Sequence, residues 1–395
     1  MRLALVFACL AAVMVEPSLA MTPLEELAVL LRPAGGGLYL VSTGRAEQLA
    51  LQRRLYGAAT DDEVQARWLT ALDRIATARA VILGVPSDVG AGFQRGANLG
   101  PQAIRTALLE TEPGFPERAE REGIVDIGDV FVVPQLLHDE MIGDDQKAAS
   151  RRALYPTLPA EVAATLPVSP LSIAERALDL VFSLNPKAAP IVIGGDHSTA
   201  WPVAAALSRA RKNERWAIVQ SDAHTDLLSD RLGVKYCFAT WSYHANELFG
   251  RDGRLVQVGI RATRFDRGHW EGTLGVRQFW AEECLRRPGG VIDEVVAHLK
   301  ERGVTGVYFS NDIDGTDEAW ADATGTPEPG GLTPDFVVEL IRRLGRDIGL
   351  IGGDVMEVAP MLRPKIDSGE RTVALAVRYL RETIAAVIGG NDRHR

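Results

Sequence analysis

The chain has 395 residues, of which 46% are hydrophobic and 24% charged, with a formal net charge of −9. This composition supports a large buried core and excludes wholesale disorder. The acidic balance argues against a nucleic-acid partner or an anionic membrane surface, each of which calls for a basic face. The three cysteines, Cys9, Cys237 and Cys284, are too far apart for a zinc knuckle or a disulfide framework.

In chain order, Arg2 precedes an apolar run over residues 3–15, with small residues at Ser18 and Ala20. That is the layout of a cleaved export signal, and the run is too short to cross a bilayer. Met21 follows at once and opens an amphipathic segment. Residues 1–20 are therefore either a signal peptide, making the protein exported, or the product of a start assigned too early, making it cytoplasmic; the cytoplasmic reading is adopted. Residues 21–73 read as a helical or irregular N-terminal extension. Residues 74–395 read as the main domain, with a surface insertion around 135–170 rich in Pro, Ala and charge.

Candidate strands lie at 80–85, 123–127, 190–193, 216–221, 254–259, 306–311 and 348–352. Most are continuously apolar, as suits strands covered on both faces. Helical patterns alternate with them. Ser172 and Glu175 have capping-box spacing ahead of 174–184, which Asn185-Pro186 stops. Thr333-Pro334 reads as N-cap and first helical residue, with Gly345 as the stop. A long helix closes the chain over 371–388. Alternation of this kind predicts a three-layer α/β/α fold with a mostly parallel sheet of about eight strands.

Three polar segments each follow a candidate strand, where open α/β sheets place their sites. Gly194-Gly195-Asp196-His197-Ser198 turns sharply through two glycines. Asp222-Ala223-His224-Thr225-Asp226 alternates carboxylate, imidazole and carboxylate, so the three side chains point one way on an extended backbone. Asp312-Ile313-Asp314 repeats the alternation. Charges so crowded at the end of a buried strand need a counter-cation. The donors are oxygen and imidazole without thiolate, which suits manganese before zinc, and two ions more naturally than one.

These segments resemble the signature motifs of the ureohydrolases: arginase, agmatinase, formiminoglutamase and relatives. The likeness extends to the loop Thr324-Gly325-Thr326-Pro327-Glu328-Pro329-Gly330-Gly331, to Asp354-Val355-Met356-Glu357-Val358, and to Gly100-Pro101-Gln102-Ala103-Ile104-Arg105. It covers about residues 80–388. The resemblance implies hydrolysis of a guanidino or amidino C–N bond by a hydroxide held between two Mn2+ ions. By the same resemblance Asp222 and Asp312 bridge the ions, His197 and Asp226 complete one, and His224 and Asp314 the other. Asp226 also takes part in catalysis, and Glu357 receives the guanidinium. The partners implied are a small guanidino or amidino substrate and further copies of the chain, as a trimer or hexamer.

The match breaks after the second segment. Where guanidine-hydrolysing relatives carry a His-Gly-Thr stretch, this chain has Phe238-Ala239-Thr240. Thr240 keeps the threonine and is expected to contact substrate, whereas Phe238 replaces the proton-shuttling histidine. His244 is the nearby candidate to take over that role. Leu227-Leu228 stands where recognition of an amino-acid head group uses Asn, which moves arginine down the list. Arg231 and Lys235 in the same loop either meet a substrate carboxylate or are simply solvated. Cys237 is either a reactive thiol or a small buried hydrophobe. Glu318 and Asp322 stand where prolines are usual, which threatens the stiffness of that loop. An agmatinase-like or atypical guanidine is the first-ranked substrate. A formimino compound comes next, and a catalytically silent metal-binding scaffold is the rival from another class.

Overall fold

Apolar, β-branched runs form strands here because such residues pack on a pleated surface from both sides. The computed structural model describes residues 21–391. The signal-peptide reading of residues 1–20, with Cys9, and the terminal His394 lie outside the described residues. The strands are β1 (Leu31–Arg32), β2 (Ala80–Val85), β3 (Ile124–Val130), β4 (Ala189–Gly194), β5 (Trp216–Ser221), β6 (Leu255–Ile260), β7 (Arg277–Trp280), β8 (Gly306–Asn311) and β9 (Leu350–Val355). They make one sheet in the order β1-β3-β2-β4-β9-β8-β5-β6-β7. All neighbours run parallel except β1, which pairs antiparallel with β3.

Alternate residues of each central strand feed two separate cores, one per face. Ala217, Val219, Val307 and Phe309 join the helices Pro334–Asp347 and Ser368–Asn391. Ile218 and Tyr308 join the helices Pro170–Leu184 and Trp201–Ala210 on the other face. The expected three-layer α/β/α architecture is therefore observed, with nine strands. Burying a side chain such as Phe309 contributes about 1.5–3 kcal/mol.

The differences from expectation have local causes. Gly123 is not in a strand: at φ +73° it ends the helix Phe115–Glu122, and β3 starts one residue later. β9 starts beyond 348–349 because Gly349, at φ +112°, ends the preceding helix turn. That helix runs through Gly345, whose lack of a side chain admits Ala386 of the closing helix instead of stopping the turn. The helix before β4 starts at Pro170, with Ser169 as its N-cap residue. Ser172 is inside it, and its hydroxyl accepts the Asp139 amide at 3.0 Å. Thr333 does cap its helix, accepting the Phe336 amide at 3.2 Å.

Residues 21–73 carry the helices Pro23–Leu30, Arg45–Tyr56 and Asp61–Asp73, with β1, which extends the sheet, and an irregular stretch over 33–44 between the first two. Trp68 anchors them by donating Nε1 to the Ile127 carbonyl at 3.0 Å. The 135–170 stretch carries the helices Asp144–Leu154 and Ala160–Ala163, and it is seated on the core by buried Tyr155, Leu166 and Val168. Arg105 is a buried cross-brace. Its guanidinium meets both oxygens of Asp126 at 2.8 and 2.9 Å and also pairs with Asp129. Asp129 in turn accepts the Gly35 amide at 2.7 Å.

Candidate metal centre

The sheet order brings the carboxyl ends of β4, β9, β8 and β5 side by side. Residues up to 160 positions apart thus converge at one edge. At the end of β4, Gly194 and Gly195 are forced: a Cβ on the first would meet Met356 Sδ at 2.0 Å, and on the second the Ser87 carbonyl at 1.8 Å. Asp196 then accepts the Ser198 amide at 2.8 Å, which starts the turn carrying His197.

His197 is fully buried. Its Nδ1 lies 3.0 Å from Asp312 Oδ2, 3.2 Å from Asp222 Oδ2 and 3.4 Å from Asp226 Oδ2. Its Nε2 lies 3.0 Å from Ser310 Oγ. Ser310 donates onward to Asp354, which also accepts the Tyr308 hydroxyl at 2.9 Å and the Asn311 amide at 2.8 Å. This back-support favours the proton on Nε2 and leaves Nδ1 as a ligand atom, the usual arrangement behind a metal-binding histidine.

Asp222, at the end of β5, accepts the His224 amide at 2.6 Å through Oδ1 and the Gln220 amide at 2.7 Å through Oδ2. His224 Nδ1 is 3.1 Å from Asp314 Oδ2, and its Nε2 is 3.6 Å from Glu328 Oε1. Asp314 is held by the Ala223 amide at 3.1 Å and the Thr326 hydroxyl at 3.1 Å. Asp226 Oδ2 accepts the Trp241 indole N–H at 2.9 Å, and the Trp241 ring lies 4.5 Å from that of His197. Glu357, at the end of β9, accepts the His197 amide at 2.9 Å.

Two trios have ligand atoms within 4.8 Å of one another: His197, Asp222 and Asp226, and Asp222, His224 and Asp314. Asp222 belongs to both. Asp312 is in neither trio, but its Oδ2 faces His197 Nδ1. Burial, reinforced by Asp222, raises Asp226 well above the usual carboxylate range; burial, reinforced by Asp314, does the same to Asp312. Burial with Asp312 and Asp196 likewise raises Glu357. For His197 burial opposes the charged ring, but hydrogen bonds to Asp222 and Asp312 outweigh it and raise its pKa. For His224 burial is likewise overcome, mainly by Asp314. For Asp222 burial opposes ionisation, but hydrogen bonds with His197 and His224 outweigh it and hold its carboxyl below the usual carboxylate range. Without a cation, the shifts of the surrounding groups all run toward holding protons about this one carboxylate. A cluster that gathers protons in this way fits divalent cations, which take the place of those protons.

Asp226 and Glu357 share another feature: both are non-glycine residues with positive φ, 52° and 62°. Such backbone costs about 1–3 kcal/mol per residue and persists only where the surroundings enforce it.

Other expected site residues are placed elsewhere. His244 is not brought into the cluster. Its Nε2 lies 3.0 Å from the Lys235 carbonyl, and its ring packs against Trp201, Tyr236 and Tyr243. Thr240 is fully buried, accepting the Cys237 amide at 2.9 Å and donating to the Cys237 carbonyl at 3.1 Å. Its hydroxyl is taken up within its own loop, whose turn it shapes. Cys237 is buried, which raises its thiol pKa and gives it the setting of a small hydrophobe. Phe238 is half-buried beneath the Arg231 guanidinium, 4.7 Å from its ring centre, while Lys235 pairs with Glu140 at 2.8 Å. Asp322 does not loosen its loop, because it is buried and ion-paired with Arg371 at 2.6 Å. Gln220, Trp241, Ser310 and Asp354 support the candidate ligands from behind. Asp354 stands out in its motif but with no role attached; Gln220, Trp241 and Ser310 read as ordinary strand or helix positions until tertiary neighbours are known.

A mostly parallel α/β sheet with overlapping Asp–His trios at its carboxyl edge defines a class of protein built around a carboxylate–imidazole metal centre. Residues 78–386 match the Arginase family. Guanidinobutyrase of Pseudomonas aeruginosa is 30% identical over 319 residues, covering 78% of this chain and 86% of that one. Agmatinase of Klebsiella pneumoniae is 32% identical over 288 residues, covering 71% and 79%. The solved agmatine ureohydrolase of Thermoplasma volcanium superposes with a TM-score of 0.58 at 26% identity, covering 81% and 93%. The chain belongs to the arginase family.

Proposed function

We propose that this chain is a dimanganese hydrolase that cleaves a C–N bond of a guanidino or amidino compound. The observation that carries this reading is the pair of trios sharing Asp222, with the Glu357 carboxylate beside them. The relatives' names, guanidinobutyrase and agmatinase, describe the same substrate chemistry. When bound, two divalent ions supply Lewis acidity and lower the pKa of water toward neutrality.

The chain's own groups do the rest. Asp222, which faces both histidines, would be the ligand common to the two ions, and Asp312, which faces His197, would join it. His197 and Asp226 would serve one ion, and His224 and Asp314 the other. Glu357 is buried and, among the described residues, pairs with no Lys or Arg side chain, so a planar guanidinium is a fitting partner for it. Asp226 would accept one proton as water attacks the trigonal carbon and return it to the departing nitrogen as the C–N bond breaks; the water's second proton, released as the new C=O forms, leaves the amine as an ammonium. Phe238 at the expected histidine position, with His244 held in its aromatic cluster, favours a formimino-type substrate as the second reading.

The test is a panel of guanidino, ureido and formimino compounds with the Mn2+-loaded protein, in which urea, ammonia and formamide are measured separately. Urea from one substrate supports the first reading. Ammonia or formamide without urea moves the protein to the second. No product from protein shown to hold Mn2+ makes the silent scaffold the better account.

A further inference from the structure

Behind Asp222 runs a line of buried amides. Gln220 Nε2 donates to Asp222 Oδ2 at 2.7 Å. Gln220 Oε1 accepts Gln257 Nε2 at 2.8 Å, and Gln257 Oε1 accepts Gln278 Nε2 at 2.8 Å. Gln278 Oε1 accepts the Trp280 indole Nε1 at 3.1 Å. Gln220, Gln257 and Gln278 are fully buried and stand opposite one another in the register of β5, β6 and β7. Trp280, on the edge strand β7, is only partly buried. Three glutamines in register inside a sheet are costly to bury unless each amide is bonded.

The polarity of this line is forced by its ends. An indole N–H can only donate, and an ionised carboxylate can only accept. Every amide between them must turn its oxygen toward Trp280 and its N–H toward Asp222. The dipoles therefore add, and hydrogen-bonded chains polarise one another. Their positive end rests on the one carboxylate common to both trios. Gln257 spends its second N–H on the Thr225 carbonyl at 2.5 Å, and Gln220 Oε1 also accepts the Ser242 hydroxyl at 2.6 Å. The line thus braces the Asp222–Asp226 loop at two points. None of its members titrates near neutral pH, so it orients and polarises without carrying protons.

On the footing of the metal centre proposed above, we propose that Gln220, Gln257, Gln278 and Trp280 form a positioning ladder that presents Asp222 to both ions. Gln278 and Trp280 act on the centre without contacting any of its ligands. Partners behind metal ligands typically contribute 10–100-fold to metal affinity or activity.

The experiment is a Mn2+ titration of the full chain and of Q220M, Q278M and W280F, with free Mn2+ read by electron paramagnetic resonance and folding checked by circular dichroism. Q220M is expected to bind Mn2+ about 10–100-fold more weakly. Q278M and W280F are expected to show smaller losses in the same direction, although neither residue touches a ligand. A purely structural role lowers the thermal midpoints but leaves Mn2+ affinity at the parental value; that result, in Q278M and in whichever other variants fold, overturns the ladder. Q278M decides by itself if Q220M fails to fold. A parent chain that takes up no Mn2+ overturns the metal centre itself, a different failure from variants that match a Mn2+-binding parent.

Discussion

Asp226 and Glu357 hold strained backbone at φ 52° and 62° while their carboxylates face the same buried cluster. That combination is expected of residues placed for chemistry at a cost to the fold. Glu357→Gln keeps the shape but removes the charge proposed to meet a guanidinium. It is expected to cut kcat/KM at least about 100-fold, a loss of about 2.7 kcal/mol in transition-state binding, with Mn2+ content unchanged by metal analysis. Trp241→Phe keeps the ring beside His197 and removes only the N–H on Asp226. It is expected to weaken Mn2+ binding or turnover by about tenfold, as for other partners behind metal ligands.

The protonation of the cluster also sets a direction with pH. In the metal-free protein Asp226, Asp312 and Glu357 have pKa values raised by burial, and the two histidines are raised by their carboxylate partners. A group raised on folding stabilises the fold fully below its unfolded pKa and loses that contribution as pH climbs through its folded pKa. The thermal midpoint of metal-stripped protein is therefore expected to fall between about pH 5 and about pH 9. Mn2+ is expected to reverse the fall. Calorimetry across this range, with and without Mn2+, checks the sign.

At the scale of elements, Arg105 joins the helix Gly100–Thr111 to β3, and through Asp129 reaches Gly35 in the N-terminal segment. Removing one side of a buried ion pair leaves the other charged and unpaired, so Arg105→Ala is expected to destabilise by about 3–5 kcal/mol. Chemical denaturation of the metal-loaded protein measures it. The central strands were legible because runs such as 216–221 and 306–311 are apolar throughout. β7 was not, because Arg277, Gln278 and Trp280 interrupt its pattern. β1 was invisible, since two residues become a strand only by pairing with β3. The glycines at 123 and 349 displaced strand starts through positive φ, which a hydropathy pattern does not register.

For the whole molecule, the sheet order carries the argument. Four strands distant in sequence end side by side, so three short motifs and Glu357 become one site. The clustering of the candidate ligands was legible because each stands just beyond an apolar strand. The support behind them was not. Gln257 and Gln278 are unremarkable polar letters until register sets them beside Gln220, and Trp241 meets Asp226 only through the fold of the 227–240 loop. His244 shows the reverse error: nearness in sequence to Phe238 did not put it in the cluster. No helix among the described residues is long and apolar enough to cross a membrane. The family resemblance implies a trimer or hexamer, and analytical ultracentrifugation is expected to give three or six times the monomer mass.

The central claim is that one shared carboxylate organises a two-ion hydrolytic centre. Its most direct test compares the Mn2+-loaded parent with Asp222→Ala, measuring bound Mn2+ and urea release from guanidino substrates together. The expected result is two ions and turnover in the parent, with both lost in the variant while circular dichroism shows it folded. A folded Asp222→Ala that retains two ions, or that releases urea at the parental rate, contradicts the account.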